Sequence, residues 1–215
     1  VIDLVDRSNR FLPMSFVVQV PFKGVFRGQG DGFHPEAIAE EALGVQLWSA
    51  PTRPIPPGMA VIRTQIVIGD GVDAPPAVNA LAQVRAAASP AAGFDYYGLT
   101  DDRGVVLLLI PYPPIPDPST PDTPYPPLVQ QTFPLTLTVY HASNLAQLPG
   151  SDRLDLEAVL NQPPVDIAIH RTEAGGLTFG DELPITLQFG RPLIFGTALN
   201  AEGTEMESVL RIQTA

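Results

Sequence analysis

The sequence predicts a mainly β protein: an antiparallel sandwich with short helices and one long proline-rich loop. Two observations carry this reading. Apolar segments of strand length recur between Gly, Pro and Asp breaks along the 215 residues, and 133–141 alternates cleanly, with Leu135, Leu137 and Val139 on one face and Thr136, Thr138 and Tyr140 on the other. The 25 prolines, about twice average usage, sit in a chain that is 45% hydrophobic, so they belong to the loops of a folded protein and not to a disordered one.

The elements follow in order. Phe11 to Phe26 alternates imperfectly around Pro13, Pro21 and Gly24, which predicts two short strands. Gly28-Gln29-Gly30-Asp31-Gly32 is a turn. His34 to Gly44 has an early proline, acids in its first turns and a terminal glycine, the start and stop signals of a short helix. Val45 to Ala50 forms another strand. Pro51 to Gly58 is a stiff extended connector leading into a clear strand at Met59–Ile68.

The segment 78–88 reads as a strand, although its alanines also suit a helix. Tyr96 to Pro111 is a polar turn, Gly98-Leu99-Thr100-Asp101-Asp102-Arg103-Gly104, followed by an apolar run and a proline stop, which predicts a β-hairpin. The tract 111–127 holds nine prolines in seventeen residues and cannot pair inside a sheet, because proline lacks the amide donor. Asn144 to Leu148 and Asp152 to Leu160 read as short helical turns, the second capped by Ser151 or Asp152. Strand-length segments at 165–170, 184–189, 193–199 and 208–213 complete the chain. This divides it into N-terminal strands and helix (1–56), a sandwich core (57–142) and C-terminal strands (143–215), the last either joining that sandwich or forming a second small β unit.

Composition narrows function. A net charge of −11 opposes attraction to phosphate backbones and anionic lipid, so no nucleic-acid partner is expected. No apolar run reaches the ~18 to 20 residues of a spanning helix, and the residues open with no basic segment leading into a short apolar one, so a soluble chain is expected. With no cysteine, thiolate sites and disulfides are excluded. Only 16% of residues are charged, which suits a surface covered by neighbours as well as it suits a secreted β protein.

The catalytic and metal signals are weak. His34, His141 and His170 are scattered and lack ligand spacing, no Gly-x-Ser-x-Gly elbow occurs, and the glycine turn at 28–32 lacks the Lys-Ser/Thr that meets phosphate and Mg²⁺. Asp70, Asp73, Asp101 and Asp102 lie in turns that could hold Ca²⁺, but turn chemistry explains them without an ion. Glu40-Glu41 and Asp181-Glu182 diverge along their elements and do not face each other. Catalysis, cofactor and metal are therefore not expected. Aromatic anchors are the better signal: Tyr112 and Tyr125 on the stiff tract, and Trp48 in an aromatic-rich first quarter, are the expected partner-binding residues.

The strand Leu81-Ala82-Gln83-Val84-Arg85, the turn Gly98 to Gly104 and the apolar strand closed by Pro111 together resemble the carboxypeptidase-regulatory-like, or transthyretin-like, β-sandwich over residues 57–142. The resemblance implies an Ig-like, non-catalytic module acting in structure, adhesion or assembly. Asp6-Arg7-Ser8-Asn9-Arg10-Phe11-Leu12-Pro13 and Arg191-Pro192-Leu193-Ile194-Phe195-Gly196 are similar to segments of accessory proteins of phage-tail-like contractile injection systems, which implies a self-associating structural subunit. The expectation from sequence is thus a non-enzymatic subunit of an assembly, part of a particle or extracellular, with the proline tract and the terminal segments making inter-subunit contacts. The alternative is a secreted carbohydrate- or protein-binding module, and a hydrolase built from dispersed Asp, Glu and His residues comes third.

Overall fold

In a computed structural model the protein is described for residues 1–17, 47–86, 95–112 and 127–214. It is mainly β and sandwich-like. Among the described residues the strands are β1 (Ile2–Leu4), β2 (Met14–Phe16), β3 (Met59–Ile68), β4 (Leu81–Ala86), β5 (Asp95–Leu99), β6 (Val105–Pro111), β7 (Thr132–Tyr140), β8 (Pro164–Arg171), β9 (Leu177–Gly180), β10 (Leu183–Gln188), β11 (Leu193–Ile194) and β12 (Leu210–Gln213), with one short α-helix, α1 (Leu156–Leu160), and a 3-10 turn at Leu128–Gln130. No described helix is long and apolar enough to cross a membrane.

Ten strands form one curled sheet that folds into two leaves. The first leaf runs β5-β4-β7-β10; in the second, β6, β11 and β12 flank β3, and β12 continues to β8 and β9. The leaves join where Val139 and Tyr140 of β7 meet Val165 and Pro164 of β8. Period-two alternation places Ile62 and Ile66 of β3, Val84 of β4, Leu108 of β6, Leu137 of β7 and Ile212 of β12 between the leaves, all essentially buried in one core. The strands after residue 142 belong to this same sheet: β10 pairs with β7, and β12 lies between β3 and β8. Two pairings, β11 and β12 with β3, are parallel within an otherwise antiparallel arrangement.

The segment 96–111 departs from its expected hairpin. β5 pairs with β4 and β6 pairs with β3, so the turn between them carries the chain from one leaf to the other. The local turn chemistry is as expected: Asp101 Oδ1 accepts from the backbone N–H of Arg103 (3.0 Å) and Val105 (2.9 Å), and Gly104 holds a φ of +72°. Such a turn reverses the chain without specifying which strands its arms pair with. The two arms pack face to face closely enough that a Cβ on Gly98 would meet Val106 Cγ2 at 2.7 Å.

Other expectations resolve individually. β3 and β7 lie within a residue of their expected bounds; of the expected strand 78–88, residues 78–79 form a turn, 81–86 form β4, and 87–88 lie outside the described residues. The segment 144–148 is not helical; Gln147 bridges Leu154 instead. The helical turn is shorter than expected and is capped by Asp155, whose side chain accepts from Glu157 N–H, in place of Ser151 or Asp152. The 45–50 strand reduces, over its described residues, to a single bridge between Ser49 and Phe11. β1 and β9 had no expectation attached. The helix at 34–44, the turn at 28–32 and residues 113–126 of the proline tract lie outside the described residues.

Candidate functional site

Among the described residues, the N-terminal ones build a layer docked on the sheet. β1 and β2 form a two-stranded ribbon, Ile2 opposite Phe16, Asp3 opposite Ser15 and Leu4 opposite Met14. Its inner end rests on the outer face of the first leaf, where Met14, Trp48, Leu81, Leu99 and Val159 form a second buried cluster, flanked by Leu4, Leu12, Tyr97 and Tyr140. Polar ties fix the docking. Ser15 N–H donates to the Leu154 carbonyl (2.8 Å), the hydroxyls of Ser15 and Ser151 lie 2.9 Å apart, and Ser151 Oγ donates to Asp3 (2.8 Å).

Residues 6–12 continue the layer. Asp6 accepts from the N–H groups of Ser8 and Arg10, and these contacts, that to Ser8 first, hold its carboxyl below the usual aspartate range. Leu12 N–H donates to the Trp48 carbonyl and Ala50 N–H to the Arg10 carbonyl, while the Arg53 guanidinium covers the Phe11 ring at 4.6 Å. At the ribbon's other end Ile2 and Val17, just past β2, are 47% and 61% exposed, and Val5, which follows Leu4 at the docked end, is 56% exposed. No described strand pairs with the outer edge of β1.

Trp48, expected as an exposed platform, is 0% exposed. Its flanking backbone bonds to residues 10 and 12 turn the indole inward, so in this fold it anchors the N-terminal layer and offers no face to a partner. Tyr112 is half-buried at the start of the proline tract. Its ring lies 4.4 Å from Phe189 and 6.3 Å from Phe133, and its hydroxyl accepts from Gly190 N–H at 2.8 Å. That packing fixes the point where the tract leaves β6. Tyr125 lies outside the described residues.

The titratable groups form separate structural clusters. On the outer face of the first leaf, Gln83 donates to Tyr97 Oη (3.0 Å) and accepts from Tyr140 (2.6 Å); burial pushes the Tyr97 phenol up, and the Arg85 guanidinium holds the Asp95 carboxyl down. On the second leaf Glu207 bridges Arg171 and Arg211, Arg171 also meets Asp70 (2.6 Å), and Arg211 donates to the carbonyls of Gly69 and Gly71 (both 3.0 Å). Asp70 thus has a guanidinium partner, and Asp101 is occupied by Arg103 and two backbone N–H groups. Among the described residues no three His, Asp or Glu side chains are grouped to hold a metal ion. His141 is buried, His170 lies 3.4 Å from Thr178 Oγ1, and His34 is outside the described residues.

Fold and surface together define a mainly β, sandwich-like protein with a docked N-terminal layer and an exposed apolar ribbon. No family model and no curated protein matches the chain. Among solved structures, it is similar to a 9R-lipoxygenase from Cyanothece PCC8801, at 16% identity over 77% of this chain and 20% of that one, with a TM-score of 0.27. At that score the likeness carries no argument about fold or activity. The chain spans a fifth of the length of that enzyme chain.

The sequence points to the terminal segments as contact segments without showing which of their residues stand exposed. Ile2, Val5 and Val17 look like ordinary strand residues, and only the docking of Leu4 and Met14 shows which neighbours remain uncovered.

Proposed function

We propose that this protein is a non-catalytic structural subunit that acts by protein contact within a larger assembly, with the β1–β2 ribbon as its principal contact surface. The observation that carries the reading is the exposure of Ile2 and Val17 at the end of the ribbon opposite the docked Leu4–Met14 pair, with Val5 exposed beside that pair. Exposed apolar side chains beside a strand edge with free backbone groups favour strand-to-strand association, and prior anchoring lowers the entropy lost on docking. The low charge of the chain, 16% of residues, is consistent with a surface covered by neighbours.

Self-association is part of this proposal, as is kinship with transthyretin-like modules and with phage-tail-like assemblies. The turn from Gly98 to Gly104, wound around Asp101, supports the first kinship; the second rests on the terminal segments quoted above. Mass photometry and size-exclusion chromatography at micromolar concentration test the reading. A multimer is expected, reduced to smaller species by Ile2→Asp or Val17→Asp. A strictly monomeric wild-type particle that joins no native assembly overturns it.

A further inference from the structure

The shelf beneath the N-terminal layer is positioned by a buried polar knot. Leu81, Leu99, Tyr140 and Val159 form the shelf, and within three residues of each lies a group of the knot. Thr100 Oγ1 accepts from Ala80 N–H (2.8 Å) and donates to the Ala77 carbonyl (2.5 Å). Gln162 donates to the carbonyls of Asn79 (3.0 Å) and Val159 (3.1 Å) and accepts from Ala142 N–H (2.9 Å). His141 N–H donates to the Pro163 carbonyl (3.0 Å), and its ring lies against the Val78 backbone. The 77–80 loop, with Asn79 at a φ of +60°, is thus held by the side chains of Thr100, His141 and Gln162.

One group in this knot is incomplete. His141 is 5% exposed, and its Nδ1 is buried with no hydrogen-bond partner among the described residues. The groups that meet it from the surrounding elements are neutral: the Val78 backbone from the loop before β4, and the Pro163 carbonyl and neighbouring Gln162 amide from the segment after α1. Tyr140, beside it on β7, has its hydroxyl on Gln83, and among the described residues no carboxylate or guanidinium acts on the ring. A proton on this ring would leave a buried N–H without an acceptor and a buried charge without a counter-ion.

We propose that His141 is an acid-sensitive catch for the N-terminal layer: protonation opens the 77–80 loop and loosens the shelf under Met14 and Trp48. Burial holds the imidazole below its ordinary 6.5, outweighing the favourable Val78 backbone contact. The sign follows directly. Above 6.5 the ring is neutral whether the knot is open or closed; as the pH falls below it, the open form takes the proton first. The open population therefore rises by up to about tenfold per pH unit until the closed form also protonates. Carboxylates, with ordinary values near 4, titrate below this window. The inference stands whether or not the ribbon docks on a partner.

Trp48 is the chain's one tryptophan, so its emission reports on the layer directly. Between about pH 7.5 and 5, spanning the histidine range, its emission should shift red. Over the same range, amides of residues 12–16, 77–80 and 141–142 should exchange about tenfold faster after correction for intrinsic rates, while those of β3 and β6 hold. His141→Gln should abolish the step. A flat wild-type response overturns the proposal, as does a step that persists in His141→Gln. Should that variant fail to fold, NMR titration of the His141 ring in the wild-type chain decides: a midpoint at or above 6.5 overturns it, and a lower midpoint that coincides with the Trp48 shift supports it.

Discussion

Replacing Gly104 by alanine probes the turn that carries the chain between leaves, and its cost can be worked from three contributions. At a φ of +72° an L-residue is strained by about 1–2 kcal/mol. An added Cβ would lie 2.4 Å from the Ile66 carbonyl oxygen, 3.1 Å from Cβ of the Pro76 ring and 3.2 Å from Ala77 N; two are backbone atoms and the third belongs to a ring closed onto the backbone, so none can swing aside as the end of a flexible side chain would. The displaced Ile66 carbonyl accepts from Ala77 N–H (2.9 Å), and Ile66 N–H donates to the Gly104 carbonyl (2.8 Å); weakening both costs about 1 kcal/mol each. The expected loss is about 3–4 kcal/mol, or a Tm lower by roughly 6–16 °C for a chain of this size. Gly175→Ala and Gly203→Ala, at φ of +85° and +67° with nothing within 4 Å, carry the backbone strain alone and should cost about 1–2 kcal/mol. Urea unfolding followed by far-UV circular dichroism measures all three. If Gly104→Ala costs no more than the two controls, the close approach of the turn to β3 is wrong.

Further outcomes follow from the same contacts. Thr100→Val keeps the shape but strips partners from Ala80 N–H and the Ala77 carbonyl, and should cost about 2–4 kcal/mol in urea unfolding, with the amides of 77–80 losing exchange protection. Glu207→Gln removes the carboxylate between Arg171 and Arg211; because Asp70 and the Gly69 and Gly71 carbonyls remain, the loss should be about 2–3 kcal/mol, below the full cost of orphaning a buried ion, and equilibrium unfolding checks it. For Asp101, burial opposes the charged form, but the Arg103 guanidinium and the N–H groups of Val105 and Arg103 outweigh it and hold the folded carboxyl below 3.8. That contribution is fully present above the unfolded value and is lost as pH falls through the folded one, so thermal melts below about pH 4 should show a shallower acid decline in Asp101→Asn than in wild type. Tyr112→Phe removes the acceptor of Gly190 N–H and should cost about 0.5–1.5 kcal/mol by thermal melting.

Local patterns are legible in the sequence because their physics is local. Alternation along 133–141 groups Leu135, Leu137 and Val139 on one face, which is the core face, and the Asp101–Gly104 turn has the side-chain-to-backbone bonds its residue types favour. The segment 144–148, by contrast, reads as helical by composition, yet Gln147 bridges Leu154 as the chain passes beneath the ribbon. There, tertiary contact outweighed a weak helical preference, as it commonly does in segments this short.

The sequence by itself determined a mainly β, sandwich-like chain, because the pleat requires period-two alternation and proline confines long stretches to loops. Only the tertiary structure decided that the arms of the 96–111 turn belong to different leaves, that Trp48 is an internal anchor, that His141 lies in a neutral buried knot, and that Ile2, Val5 and Val17 stand exposed. Each depends on partners distant in sequence: β6 could satisfy its backbone groups against β5 or β3 equally well by local rules, and an indole is buried or exposed according to what packs over it. Pairing and burial are set by the free energy of the whole fold, which no window of neighbouring residues contains.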